Sequence, residues 1–197
     1  MATSSDISVG LAHELVLTAC KAGFEPKDFT VLAQSEEKLR QLLCFVRGHA
    51  GLTQAKHVID CDADPLLPYE DWKVEEHKKG GQFSWDPSKL SLYLSDNQRG
   101  EKSIEGNKLR RELAERPVLN ANVLDYLIRH PHLVPDEWKV DEQGNTLYIY
   151  FWGTIYRDAD GDLCVRSLCF ESGHWFWGDG WLGGGWGSRS PAVLLAS

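Results

Sequence analysis

The sequence predicts an α+β protein: an N-terminal helical layer, a mixed middle segment with a helical hairpin, and a C-terminal antiparallel β-sheet. Three patterns carry this prediction. Leu11, Leu15, Thr18 and Ala19, then Leu39, Leu42, Leu43 and Val46, recur at the spacing of one helix face. Residues 90–95 and 147–156 alternate with the two-residue period of strands. Asp158-Ala159-Asp160-Gly161-Asp162 lies between two apolar runs and reads as a hairpin turn. The expected organisation is a helical region 1–54, a mixed α/β segment 55–140 and a Trp-rich β module 141–197.

Residues 1–6 read as a loose tail. Asp6 or Ser8 can cap a first helix that Gly23 stops. A second helix begins near Pro26-Lys27-Asp28, and a third spans 35–48, ended by Gly48 and Gly51. Residues 57–62 form a short strand, after which Pro65 and Pro68 force a loop. Residues 72–78 and 82–85 read as strands joined by a turn at Gly80-Gly81. Leu90, Leu92 and Leu94 give a half-buried strand. Leu109 and Leu113 mark a helix that Pro117 ends. Asn120 caps the next helix, whose buried face is Val123, Leu124, Leu127 and Ile128; Pro131 and Pro135 stop it, and 131–139 is a linker. In the last module, 147–156 and 163–170 are successive strands, and 174–177 starts a third. Residues 178–187 are glycine-rich, and the apolar end, 190–195, docks back on the core.

Composition narrows the classes of function. The formal net charge is −8 and none of the three segments is net basic, which argues against a phosphate-backbone partner and makes nucleic acid an unexpected ligand. Five Cys at irregular spacing, with no CxxC pair, point to reduced thiols rather than a structural zinc site. Leu17-Thr18-Ala19-Cys20 matches the short pattern that precedes a lipidated cysteine. Residues 1–16, however, hold no Lys or Arg, and His13-Glu14 interrupts the apolar run. No apolar run reaches the roughly 18 residues of a membrane span. The expected address is the cytoplasm, with no membrane association.

The segments IDCDADP (59–65), VEEHKKGGQFSWDPSKLSLYLS (74–95), SIEGNKLRREL (103–113), PVLNANVLDYLIRHPHLVPDEWK (117–139), FWGTIYRDADGDLCVR (151–166) and SPAVLLAS (190–197) resemble a group of small bacterial proteins of unassigned function. Those proteins often share the Trp-rich C-terminal module. The resemblance runs from about residue 55 onward. It implies a bacterial, cytosolic class and one recurrent architecture, and it implies no activity, cofactor or site residue.

Two constellations are candidate sites. The first is aromatic. Tyr148, Tyr150, Trp152 and Tyr156 share one face of a continuous strand 147–156, and Trp175 and Trp177 extend it. Exposed, such a face would stack a small-molecule ligand or take a protein partner; covered, it would be core. The second is Asp60, Asp62 and Asp64, spaced by two, whose carboxylates would share a face if the strand ran on to Asp64. Hard divalent cations take such oxygen ligands and can activate water, with His57, Glu75, Glu76 and His77 as added ligands or a base. The leading expectation is a non-catalytic binding or interaction protein using the aromatic surface. The alternative is a divalent-metal-dependent hydrolase or phosphotransfer enzyme centred on the three aspartates. Asp158, Asp160 and Asp162 lack the later Glu of a calcium loop. His130-Pro131-His132 reads as helix-end histidines, and Lys78-Lys79-Gly80-Gly81 lacks the full spacing of a phosphate loop.

Overall fold

A computed structural model describes residues 8–49 and 56–196. The tail 1–6 and Gly51 lie outside the described residues. The chain divides into two units, Met1–Ala55 and Lys56–Ser197.

The first unit holds three helices: α1 (Val9–Lys21), α2 (Pro26–Ala33) and α3 (Glu36–Val46). Their starts follow from local chemistry. The Ser8 hydroxyl accepts from the Leu11 N–H at 3.1 Å, and the Ser35 hydroxyl accepts from the Lys38 N–H at 3.3 Å. Pro26 opens α2, where its missing N–H costs no bond. Gly23 and Gly48 end α1 and α3 in the left-handed conformation that glycine adopts without penalty. No residue of the three helices is buried, so the apolar stripes predicted for α1 and α3 remain exposed. No helix among the described residues is long and apolar enough to cross a membrane.

The second unit is built on one mixed sheet. Its strands are β2 (Lys73–His77), β4 (Leu90–Tyr93), β6 (Ile149–Tyr150), β7 (Thr154–Arg157), β8 (Leu163–Glu171), β9 (His174–Trp181) and β11 (Ala192–Leu195), in the order β2-β7-β8-β6-β11-β4 with β9 also on β8. The pivot is β8. One of its edges meets β7 at Leu163–Cys164 and β6 at Ser167–Leu168, and the other is paired along its length by β9. Two small antiparallel pairs flank the sheet: β1 (Val58–Asp60) with β3 (Gln82–Ser84), and β5 (Ile104–Glu105) with β10 (Gly185–Trp186). Since β2 and β4 come from the middle segment, 55–140 and 141–197 share one sheet rather than forming separate regions. One contact departs from the antiparallel expectation. Tyr150 and Ala192 pair in parallel, because the terminal strand enters beside β6 in the same direction; the Tyr148 and Tyr150 N–H groups donate to the carbonyls of Arg189 and Pro191.

Two helices clamp this sheet from opposite faces. On one face α5 (Ala121–Arg129) lays Val123, Leu124 and Leu127 against Ile149, Phe151, Leu168 and Val193. On the other, α4 (Gly106–Glu112) contributes Leu109 to a cluster with Tyr150, Trp152, Ile155, Val165, Leu182, Trp186 and Leu194. Trp186 is the keystone of this second cluster. It is buried, its ring lies 4.3 Å from Tyr150 and 4.9 Å from Trp152, and its indole N–H donates to the Trp181 carbonyl at 3.2 Å. Gly180 makes room for it: a Cβ there would fall 2.7 Å from the Trp186 ring. β9 continues through Gly178 and Gly180 into the glycine-rich segment.

The strand predicted over 147–156 is broken in the middle. Residues 151–153 leave the ladder as a turn between β6 and β7. The Gly153 N–H donates to the Leu119 carbonyl at 2.8 Å, and its carbonyl accepts from the Lys78 N–H at 2.7 Å. The backbone of Asn120 passes so close that a Cβ at Gly153 would sit 2.9 Å from the Asn120 nitrogen. The break resets the alternation. Ile155 joins Tyr150 and Trp152 on the α4 side, whereas Tyr156 falls to the opposite face with Trp72 and Ala121.

Candidate functional site

The aromatic residues predicted to form a platform do not make one surface. Tyr150, Trp152 and Tyr156 are 8%, 4% and 0% exposed. Once the turn at 151–153 flips the register, α4 and Trp186 cover the first two, and Trp72 with Ala121 covers the third. Tyr148 is half-buried and its hydroxyl donates to Glu171 at 3.3 Å. Trp175 is half-buried against Phe170, with ring centroids 5.2 Å apart. Trp177 is half-buried beneath the Arg166 guanidinium, 4.7 Å from the ring centre.

The aspartates do not converge either. β1 stops at Asp60, and Asp60, Asp62 and Asp64 are all exposed. An Asp60 carboxylate oxygen accepts from the Asp62 N–H at 3.0 Å, and an Asp62 oxygen accepts from the Gly81 N–H at 2.8 Å. The carboxylates thus fold the turn and tie it to the Gly80-Gly81 loop. Among the described residues no group of three His, Cys, Asp or Glu side chains is arranged to hold a metal ion. The rings of His57, His130 and His132 do gather, at 5.8–6.1 Å between centroids, with the Tyr126 hydroxyl 2.9 Å from His57 Nδ1. Cys61 is buried, and burial together with Asp60 and Asp62 pushes its thiol up to about 11, which disfavours a thiolate nucleophile.

The residues that do meet lie where β2 ends against α4. A cleft of about 550 Å³ opens there, within the range of small-molecule sites. One wall is Glu76, His77 and Lys78; the other is Asn107, Arg110, Arg111, Leu113 and Ala114 of α4 and its C-terminal turn; Trp152 completes the lining. A β-bulge shapes the first wall. The ladder to β7 slips between Val74 and Glu76, leaving Glu75 as the extra residue. Bulges bend a strand and re-aim its side chains. Glu75 turns to a two-bonded pair with Arg157, at 3.1 and 2.9 Å, which holds its carboxyl below the usual range. Glu76 turns to Arg110, with Nη2 and Oε1 2.5 Å apart.

The back of the cleft is fixed by a polar network. His77 Nδ1 lies 2.8 Å from the Thr154 hydroxyl, which accepts from the Ala121 N–H at 3.0 Å. His77 Nε2 lies 3.1 Å from the Cys61 carbonyl. A carbonyl can only accept, so the network assigns the proton to Nε2. The Asn120 amide donates to the Cys61 and Lys78 carbonyls at 2.8 and 2.9 Å, tying the first wall to the start of α5. Lys78 Nζ donates to the Leu113 and Ala114 carbonyls, satisfying groups left open at the end of α4. Trp152 differs from its neighbours: its Nε1 is buried and makes no hydrogen bond. A buried donor left unmade costs about 1–3 kcal/mol.

Of the residues singled out in the sequence, the cleft contains Trp152, Glu76, His77 and Lys78. Arg110 and Arg111 carried no signal beyond a basic pair on a short helix, because only the packing of α4 against β2 gives them a common wall. No protein-family model matches this chain, and neither a curated protein nor a solved structure matches it. The fold and cleft define an α+β protein with a cavity, lined by charged residues and a tryptophan, at the junction of a bulged strand and a short helix.

Proposed function

We propose that this chain is a non-catalytic binding protein for a small molecule, and that Trp152 of the C-terminal β module forms part of its ligand cleft. One observation carries the reading: a nearly buried tryptophan lines a cavity of small-molecule size while its indole N–H is unpartnered. Native proteins rarely leave such a donor unmade, and exceptions call for a functional explanation. The cleft's histidine has both ring nitrogens committed to Thr154 and Cys61, and the nearby thiol is buried, so neither is poised as a base or nucleophile. This favours binding over catalysis. All five cysteines are free, which suits a reducing, cytoplasmic setting. The net charge of −8 argues against nucleic acid as the partner. The bacterial origin implied by the resemblance belongs to the same reading.

The test is a fragment screen on the full chain, read by the indole N–H resonances in ¹⁵N-labelled protein. Binders should shift the Trp152 resonance, identified by its loss in Trp152→Phe, and should bind that variant more weakly while it unfolds cooperatively. A screen in which no fragment moves that resonance would overturn the reading.

A further inference from the structure

We propose that the ligand of this cleft is a small organic oxyanion, a carboxylate or a phosphate ester, held by Arg110 and Arg111, with Glu76 as its built-in competitor. This rests on the binding reading above and gives it a chemical class. The protein as a whole is acidic, yet this cleft gathers Lys78, Arg110 and Arg111 against the single carboxylate of Glu76. A concave wall of one sign concentrates ions of the other.

The donors are unequally occupied. Lys78 spends its ammonium on the Leu113 and Ala114 carbonyls. Arg111 makes no ion pair among the described residues. Arg110 gives one Nη2 contact to Glu76 and keeps further N–H groups of a guanidinium that carries five. Planar guanidinium forks match carboxylate and phosphate oxygens two at a time. Among the cleft's charged side chains, Arg111 and the remaining N–H groups of Arg110 are thus the donors left for a ligand, and Glu76 is the one carboxylate.

Glu76 marks where the oxyanion goes. Its carboxylate already sits on Arg110, and it is the more exposed partner, 53% against 26%. It can swing into water while the arginine stays in the wall. An arriving oxyanion takes its place, and binding is weakened by the contact it must displace.

Isothermal titration of the full chain with benzoate, phenyl phosphate, neutral benzamide and cationic benzamidine tests this. The two oxyanions should bind, and more weakly as salt rises. Benzamide should bind about tenfold more weakly or not at all, and benzamidine not at all. Arg111→Gln, at an exposed position, should weaken benzoate by about tenfold, and Glu76→Gln should strengthen it by about threefold. Unliganded thermal melts of both variants establish that they fold. If benzamide binds as tightly as benzoate and shifts the Trp152 resonance, the oxyanion class is overturned while the binding reading stands. If neither oxyanion binds, the class is overturned, and the fragment screen decides the binding reading separately. Weaker binding to Glu76→Gln would overturn the competitor role.

Discussion

Arg166 of β8 and Asp125 of α5 are joined by an ion pair of 2.9 Å across the interface between helix and sheet, with side chains only 4% and 11% exposed. The pair ties α5 to the central strand β8. Its cost is visible as well: Asp125 Oδ2, Arg166 Nε and Arg166 Nη1 make no hydrogen bond. Breaking a buried pair strands a charge, whereas replacing both members with apolar groups removes the desolvation penalty. Asp125→Leu alone should therefore cost about 3–5 kcal/mol of stability, and the double variant Asp125→Leu/Arg166→Met should recover most of that loss. Urea denaturation of the three proteins checks this. A double variant as unstable as the single would mean the pair is net stabilising.

Gly180 faces Trp186 with no room for a methyl group. A Cβ there would meet the indole at 2.7 Å and Tyr150 at 3.0 Å, and the ring cannot yield because Gly106 and Tyr150 enclose it. Gly180→Ala should cost about 1–3 kcal/mol through overpacking and lower the near-ultraviolet circular dichroism of the Trp cluster. Gly180 lies outside the left-handed region, so conformational strain of that kind is not at issue. A Gly180→Ala variant that melts with the parent protein would show that crowding at Trp186 carries no cost.

His130 supplies a pH dependence. Its ring stacks on Tyr126 and faces His57 and His132, with Arg129 beside it. Burial first, then these neighbouring charges, hold its pKa below the ordinary 6.5. The unfolded chain therefore binds this proton more readily than the folded one. The stabilising contribution is present above 6.5 and is lost as the pH falls through that value towards the lower folded value. Between about pH 7.5 and pH 5 the urea midpoint should fall, and it should fall less steeply in His130→Gln. Identical slopes would remove His130 as the cause.

The helices and most strands were legible because their signals are local. Ser8, Ser35 and Asn120 each cap the helix that follows them, and Val123, Leu124 and Leu127 form the buried face of α5 as their spacing predicts. Leu90 to Tyr93 and the hairpin about Gly161 were equally plain. The break at 151–153 was not legible. Leu147 to Tyr156 alternates without interruption in the sequence, and the turn exists only because Leu119, Asn120 and Lys78, remote in the chain, capture the Gly153 backbone.

The same division holds for the site. Residue types by themselves determined that aromatic side chains would crowd the last module, but the strand expected over 57–62 ends at Asp60, where the Asp60 and Asp62 carboxylates bond backbone N–H groups and turn the chain. Only the tertiary structure decided that Trp186 closes over Tyr150 and Trp152, and that Arg110 and Arg111 line one cleft with Glu76 and Trp152. A cleft between two elements has no period and no spacing in the chain; its members meet where a bulge at Glu75 and the Glu76–Arg110 ion pair join β2 to α4.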